Sequence, residues 1–236
     1  MTIERGSTRR AIGFELEGER LIADPSGALY WPSEAMLIVA DLHFEKGSSF
    51  ARGGIFLPPY DTRATVKALE IAVDRFQPKR IIALGDSFHD AQSSERISQR
   101  ERQSLQSLMK GREWIWVLGN HDPAPPRDLG GVSLDEVALG PLVFRHEPRA
   151  GASVGEIAGH LHPCATLHAK GRRLRRRCFA FDGTRLVLPA FGTFTGGLCV
   201  LDQAFSLVLR SPFTAMLLGR ERVYPVRHAW LVPDAA

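Results

Sequence analysis

Short buried strands and amphipathic helices alternate along the first half of the chain. The continuous apolar run at residues 36–40 is typical of a strand buried on both faces, and the segments 80–84 and 113–118, which are apolar after their first residue, predict two more buried strands. Between them, an apolar helical face begins at Asp61 and ends before Pro78, and a polar helix is predicted over 94–111. Polar residues follow each strand directly. The pattern predicts an α/β fold with chemistry at the carboxyl ends of its strands.

The second half changes to short strand-like runs, at 142–144, 156–158, 178–181, 186–188 and 198–201. They predict a second, mostly antiparallel sheet packed on the first. An N-terminal hairpin is predicted over 12–32, where apolar runs flank the turn 24–27. Because no linker or repeat interrupts the pattern, we expect one domain over 1–236, with a C-terminal tail from about 222 to 236.

Composition narrows the class of protein and its cellular location. The chain is 44% hydrophobic and 24% charged, which is ordinary for a soluble globular protein. No apolar run approaches the ~20 residues of a membrane helix, so we expect no membrane partner. Three cysteines without Cys-x-x-Cys spacing and a polar N-terminus favour a cytoplasmic location. The net charge of +4 comes mainly from arginine, which fits either phosphate binding or a bias of genome composition.

Six of the eight histidines fall into five short motifs. These are Asp41-Leu42-His43, Gly85-Asp86-Ser87-Phe88-His89-Asp90, Gly119-Asn120-His121-Asp122, Arg145-His146-Glu147 and Gly159-His160-Leu161-His162. Residues i and i+2 of a strand point to the same side, so both polar residues of an Asp-x-His or His-x-His pair can reach one ion. Burying so many polar groups without a ligand would be costly. The motifs therefore predict a metal site.

In this order the motifs resemble those of the calcineurin-like metallophosphoesterase superfamily, D-x-H, G-D, G-N-H, H and G-H-x-H, over about residues 36–200. The resemblance implies a four-layer αββα sandwich, in which two packed mixed β-sheets are flanked by helices. It also implies two metal ions. Metal one would take Asp41, His43, Asp86 and His162, and metal two would take Asp86 as the bridge with Asn120, His146 and His160. Imidazole ligands favour Mn²⁺, with Fe²⁺ or Zn²⁺ as alternatives.

The resemblance also implies catalytic roles. His121 would face the substrate phosphate and protonate the leaving oxygen. Many superfamily members have G-D-x-x-D, whose second Asp orients that histidine, but this chain has His89 there. We expect His89 to contact the phosphate and Asp90 or Asp122 to orient His121.

Three segments narrow the branch: Asp41 to Gly47, Leu57 to Thr62 and Gly85 to Asp90 resemble the bacterial ligase-associated DNA-damage-response metallophosphoesterases. That resemblance implies a DNA endonuclease or phosphodiesterase of DNA repair, functionally associated with a DNA ligase and a helicase. A dinuclear cleft favours single-stranded or flexible DNA. The motifs alone indicate only phosphoester chemistry, so a phosphatase or phosphodiesterase for a small nucleotide or nucleotide-sugar is the alternative. A non-catalytic scaffold is disfavoured by the complete ligand set.

One further run bears on DNA. Five arginines lie within six residues: Arg172, Arg173, Arg175, Arg176 and Arg177. Either they contact a phosphate backbone or they form a solvated, charged hairpin or edge strand.

Overall fold

Strands of the first sheet follow one another in chain order. The computed structural model describes residues 10–58, 60–121 and 127–234. The first sheet consists of β1 (Ile12–Leu16), β2 (Glu19–Ala23), β3 (Leu29–Trp31), β4 (Met36–Ala40), β5 (Arg80–Leu84), β6 (Glu113–Val117) and β7 (Val132–Leu134). Strands β1 to β4 pair antiparallel, and β4 to β7 pair parallel. The predicted hairpin and the three predicted buried strands are thus all present.

The second sheet contains β8 (Glu136–Leu139), β9 (Leu142–Arg145), β10 (Glu156–Ala158), β11 (Pro163–Ala169), β12 (Arg172–Phe181), β13 (Arg185–Val187), β14 (Leu198–Cys199), β15 (Thr214–Leu218) and β16 (Val223–Arg227). The order is β14-β11-β12-β13-β10-β9-β8, and β15 joins β12 to β16. Strand β10 is parallel to both neighbours, whereas β12 is antiparallel to β11, β13 and β15. The predicted pair of mixed sheets is confirmed, and the predicted C-terminal tail supplies strand β16.

Helices lie mainly on the outer face of the first sheet: α1 (Lys46–Arg52), α2 (Asp61–Phe76), α3 (Ser93–Arg96) and α4 (Gln99–Met109), while the short α5 (Gln203–Ser206) lies on the second sheet. The prediction of one helix over 94–111 was wrong. Ser98 is extended and caps a new helix, since its Oγ accepts a hydrogen bond from Glu101 N at 3.2 Å. Helix α1 was not predicted, because seven residues with little apolar periodicity give no helical signal.

Apolar side chains fill both sides of the first sheet. Trp31, Ile82 and Phe144 belong to the core between the sheets, and Trp116 and Leu105 belong to the layer beneath α2 and α4. Strands β4, β5 and β6 run in register, so that Ala40, Leu84 and Val117 end side by side. The residues that follow these strands therefore meet at one edge. Within the described part of the chain, no helix combines the length and apolar character needed to span a membrane.

Candidate metal centre

Two groups of side chains that could hold a metal ion lie at this edge. The first contains Asp41, His43 and His162, and the second contains Asp86, His146 and His160. Within each group, one ligand atom from every residue lies within 4.8 Å of the others. The six residues come from four different strand ends, which the two packed sheets bring together.

Asp86 lies between the two groups. Its Oδ2 is 3.9 Å from His43 Nε2, and its Oδ1 is 3.4 Å from His146 Nε2. The two carboxylate oxygens therefore face different groups, as a carboxylate that bridges two cations requires. Asn120 joins the second group, because its Oδ1 is 2.8 Å from His146 Nε2. The structure thus brings together all seven ligands that the sequence predicted.

The buried charges of the centre fit a cation. The side chains of Asp41 and Asp86 are only 0% and 4% exposed. Within the described residues, only imidazoles lie within 4 Å of these carboxylates among the basic side chains. Buried carboxylates are normally paired with a cation or coordinate a metal. Carboxylate, amide and imidazole donors together suit borderline divalent cations.

The pKa values of two histidines also fit a site that binds cations. Burial lowers the pKa of His146, but the hydrogen bond to Asp86 and the charge of Asp41 outweigh it and raise that pKa to about 9. The two carboxylates thus attract positive charge to the position of the second group. Burial and the neighbouring His162 instead hold the pKa of His43 far below its usual range, so that this imidazole stays neutral and free to bind a metal.

The ligands have an unusual backbone conformation. Asp41, His43, Asp86, His160 and His162 all have positive φ, between 44° and 67°. For residues with a Cβ, such conformations cost of order 1–3 kcal/mol each and persist only where the surrounding structure enforces them. Strain concentrated on the ligands is a pattern typical of functional sites.

Two glycines allow the close approach of the ligands. A Cβ at Gly85 would lie 2.2 Å from His146 Nδ1, and a Cβ at Gly159 would lie 2.7 Å from Asp41 Oδ2. His146 Nδ1 is 3.2 Å from the carbonyl oxygen of Leu84, and this contact directs His146 Nε2 towards the centre. Both glycines belong to the motifs, but the contacts that require them became visible only in three dimensions.

A buried polar network holds the loop after β4. Thr62 Oγ1 donates to Glu45 Oε1 and accepts from Glu45 N, both at 2.8 Å. Ser48 Oγ donates to Glu45 Oε2 at 2.7 Å, and Gly47 N donates to Asp61 Oδ2 at 2.8 Å. Residues 45–48 are therefore tied to the start of helix α2, which positions the end of the loop that carries His43. Asp61 is the first residue of α2, and the capping position before it is occupied by Tyr60.

His121 and His89 lie side by side over the centre. Their rings stack, with centroids 5.3 Å apart and an interplanar angle of 15°. His121 Nε2 is 4.0 Å from Asp86 Oδ2, and His121 Nδ1 is 3.0 Å from the carbonyl oxygen of His89. With the proton on Nδ1, this carbonyl orients His121, a role that was predicted for Asp90 or Asp122. Asp90 instead accepts a hydrogen bond from Arg96 at 2.6 Å. Asp122 lies outside the described residues.

Known proteins were compared with this chain in sequence and in structure. The model of the calcineurin-like phosphoesterase family matches residues 35–178. The chain belongs to this family. The phosphoesterase is also similar to a solved structure, the nuclease MPE of Pseudomonas putida, at 29% identity and a TM-score of 0.72, covering 92% of this chain and all of the other. No curated protein is significantly similar in sequence. The predicted superfamily is thus confirmed, and the chain is a metal-dependent phosphoester hydrolase.

Lys46 is a further cation at the phosphoesterase site. Its Nζ lies 5.6 Å from the ring centroid of Phe50, and that ring is 5.6 Å from the ring of His89. Burial lowers the pKa of Lys46, with Asp61 opposing it. Burial together with the charge of Lys46 lowers the pKa of His89 to about 4. The sequence offered only one weak signal for Lys46, its position three residues after His43.

The five arginines of the predicted run have different partners in the fold. The run forms the first part of strand β12, where residues 172–177 pair with β11 in a hairpin, whereas β13 and β15 pair with residues between 178 and 181. Arg173 and Arg175 hold the C-terminal segment through Pro233 and Asp234, Arg177 donates to Ala190 O at 2.6 Å, and Arg172 and Arg176 are exposed. The five side chains therefore differ in their contacts.

Proposed function

We propose that this phosphoesterase is a Mn²⁺-dependent DNA phosphodiesterase with endonuclease activity, which acts in DNA repair on single-stranded or flexible DNA. The observation that carries the proposal is the placement of Asp86 between two complete ligand groups, with His121 and His89 beside it. Two divalent cations held by the seven ligands would supply the Lewis-acid chemistry of phosphoester hydrolysis. The similarity to a nuclease of related sequence favours DNA over a small nucleotide.

The histidines can perform the remaining steps. With its Nδ1–H donated to the carbonyl oxygen of His89, His121 directs Nε2 towards Asp86 and the position of the scissile phosphate. A proton on that Nε2 can pass to the leaving oxygen, which is otherwise expelled as an unstable alkoxide. His89, whose pKa is about 4, is neutral at pH 7 and serves as a hydrogen-bond donor to a phosphate oxygen. Lys46 adds a positive charge on the same side.

The setting of the reaction follows from the same proposal. We place the enzyme in the cytoplasm, in functional association with a DNA ligase and a helicase that act on the same DNA. A phosphatase or phosphodiesterase of small nucleotides or nucleotide-sugars would use the same metal centre, so the substrate has to be tested directly.

Circular single-stranded DNA tests the proposal most sharply, because only an endonuclease can cut a strand that has no end. The purified protein with Mn²⁺ should convert the circle to linear products, whereas Asp86→Ala should lose both bound metal and activity. Elemental analysis of the two proteins after Mn²⁺ loading measures the metal. Intact circles beside rapid hydrolysis of a nucleotide from a parallel panel would replace the proposal with the small-nucleotide alternative.

A further inference from the structure

Beside the metal centre lies a second concave surface, which we call the arginine cleft. Its two adjoining parts have volumes of about 840 and 490 Å³, and both are lined by Arg177, Thr195 and Arg220. Arg175 and Arg176 also line the smaller part, and the larger part contains one acidic side chain, that of Glu221. The cleft is therefore open, polar and positively charged.

The cations of the cleft are available to a ligand. Arg176 and Arg220 are exposed. Among the described residues, no carboxylate oxygen lies within 4 Å of the guanidinium groups of Arg176, Arg177 or Arg220, in contrast to Arg175, which pairs with Asp234. Unpaired guanidinium groups that share one concave surface suit successive phosphates, which they bind through planar, bidentate hydrogen bonds.

One loop separates the cleft from the metal centre. Phe191 N donates to Ala40 O at 2.8 Å and Gly192 N donates to Asp41 O at 3.1 Å, so the loop begins directly against a ligand of the first group. It ends at Leu198, whose N donates to His162 O at 3.1 Å. Thr193 and Thr195, between these points, line the cleft. A polynucleotide held at the metals thus needs to cross only this loop to reach the arginines.

We propose that the arginine cleft binds the phosphate backbone of the DNA strand that flanks the scissile bond. This inference rests on the proposed function and gives it a substrate class, namely a polynucleotide that extends beyond the scissile phosphate. It also replaces the five-arginine run as the binding surface. Three members of that run line the cleft; Arg175 is already paired with Asp234, so Arg176 and Arg177 contribute together with Arg220, which is distant in sequence.

The test compares two double variants that lose the same charge. Arg176→Ala/Arg220→Ala removes exposed arginines of the cleft, and Arg172→Ala/Arg210→Ala removes exposed arginines elsewhere. Arg177 is kept, because its bond to Ala190 supports the loop beside Asp41. Fluorescence anisotropy with a labelled 30-nucleotide oligo(dT), in EDTA and over a range of salt concentrations, measures binding without cleavage.

The cleft variant should bind more weakly, and its slope of log affinity against log salt should fall by about 1.4, or roughly 0.7 for each lost contact to a single strand. The control should keep the wild-type slope, and both variants should hydrolyse bis(p-nitrophenyl) phosphate at the wild-type rate. Equal slopes in the cleft variant and the control would overturn the inference. So would competition by dTMP as effective as that by the oligonucleotide at equal phosphate concentration, because the cleft would then be a single-phosphate site.

Failure of the two proposals can be told apart. Binding is measured without metal, and cutting of circular DNA is measured with Mn²⁺. If wild-type protein cuts the circle but the cleft variant keeps its salt slope, only the cleft is refuted. If the circle stays intact, the endonuclease is refuted, and the slopes still decide whether the cleft binds a polynucleotide.

Discussion

Replacing Thr62 by valine should damage the metal centre although Thr62 is not a ligand. Valine has the shape of threonine without the hydroxyl group, and the Thr62 side chain is 2% exposed. Two hydrogen bonds would be lost: the one that Oγ1 accepts from Glu45 N and the one that it donates to Glu45 Oε1, both of 2.8 Å. The substitution leaves a buried N–H group without a partner and a buried carboxylate with one partner fewer.

The two losses can be sized. An unsatisfied buried donor costs about 1–3 kcal/mol, and a hydrogen bond to a charged group contributes about 1.5–3 kcal/mol. Since the two effects share one side chain and are not additive, we expect the free energy of unfolding to fall by about 2–4 kcal/mol. Glu45 and His43 have φ of 64° and 44°, so the network also maintains a strained loop. Relaxation of this loop should weaken Mn²⁺ affinity by about 10–100-fold, the usual effect of removing support from a ligand.

Two measurements check this prediction. Urea unfolding gives the change in stability, and the rate on bis(p-nitrophenyl) phosphate against Mn²⁺ concentration gives the concentration for half-maximal activity. Thr62→Ser keeps the hydroxyl and is the matched control, which should stay near wild type in metal affinity. A Thr62→Val protein that is less stable but needs no more Mn²⁺ than Thr62→Ser would show that the network supports the fold alone and does not position His43.

Three further outcomes are expected. His121→Ala should keep both metals and lose about 10²–10⁴-fold in rate on DNA but much less on p-nitrophenyl esters, whose leaving group needs little protonation; equal losses would make His121 a phosphate ligand only. Glu156→Ala should lower the unfolding free energy by about 3–5 kcal/mol in urea, because it leaves the buried Arg185 without its carboxylate; a loss under about 1 kcal/mol would contradict this reasoning. Burial raises the pKa of Asp90, but the hydrogen bond from Arg96 outweighs it and holds this pKa below its usual range. The Asp90 carboxylate therefore stabilises the fold at pH values above its unfolded pKa of about 3.9. That contribution is lost as the pH falls through the lower folded pKa. Unfolding measured from pH 6 to 2 should therefore show the advantage of wild type over Asp90→Asn shrinking with acid, and an advantage independent of pH would exclude this role.

Local signals in the sequence account for much of the first sheet. The runs at 36–40 and 81–84 are apolar at every position because both faces of β4 and β5 are covered. The break between α3 and α4 was also readable, since Ser98 and Glu101 have the spacing of a capping box. It was missed because the apolar face continues across it. The helix over Lys46–Arg52 gave no signal, because its seven residues have little apolar periodicity; in the fold it packs against α2 and α3.

Metal ligands were predictable because their chemistry restricts both residue type and spacing. A residue such as Asp41 or His43 keeps its place in a short motif whatever surrounds it. The contacts that orient His121 were not predictable. The oxygen nearest its Nδ1 is a backbone carbonyl, that of His89, and every residue has one, so no residue type marks the position.

The sequence by itself therefore determined the family, the two-sheet architecture and the residues that gather at the metal centre, because each depends on side-chain chemistry at fixed spacing. Only the tertiary structure decided which arginines share a surface. In sequence, Arg175 and Arg176 are equivalent neighbours. In the fold, both line the cleft beside Arg220, but Asp234 pairs with Arg175, and among the described residues no carboxylate oxygen lies within 4 Å of the Arg176 guanidinium. Proximity between distant segments arises from packing, and no local pattern of residues records it.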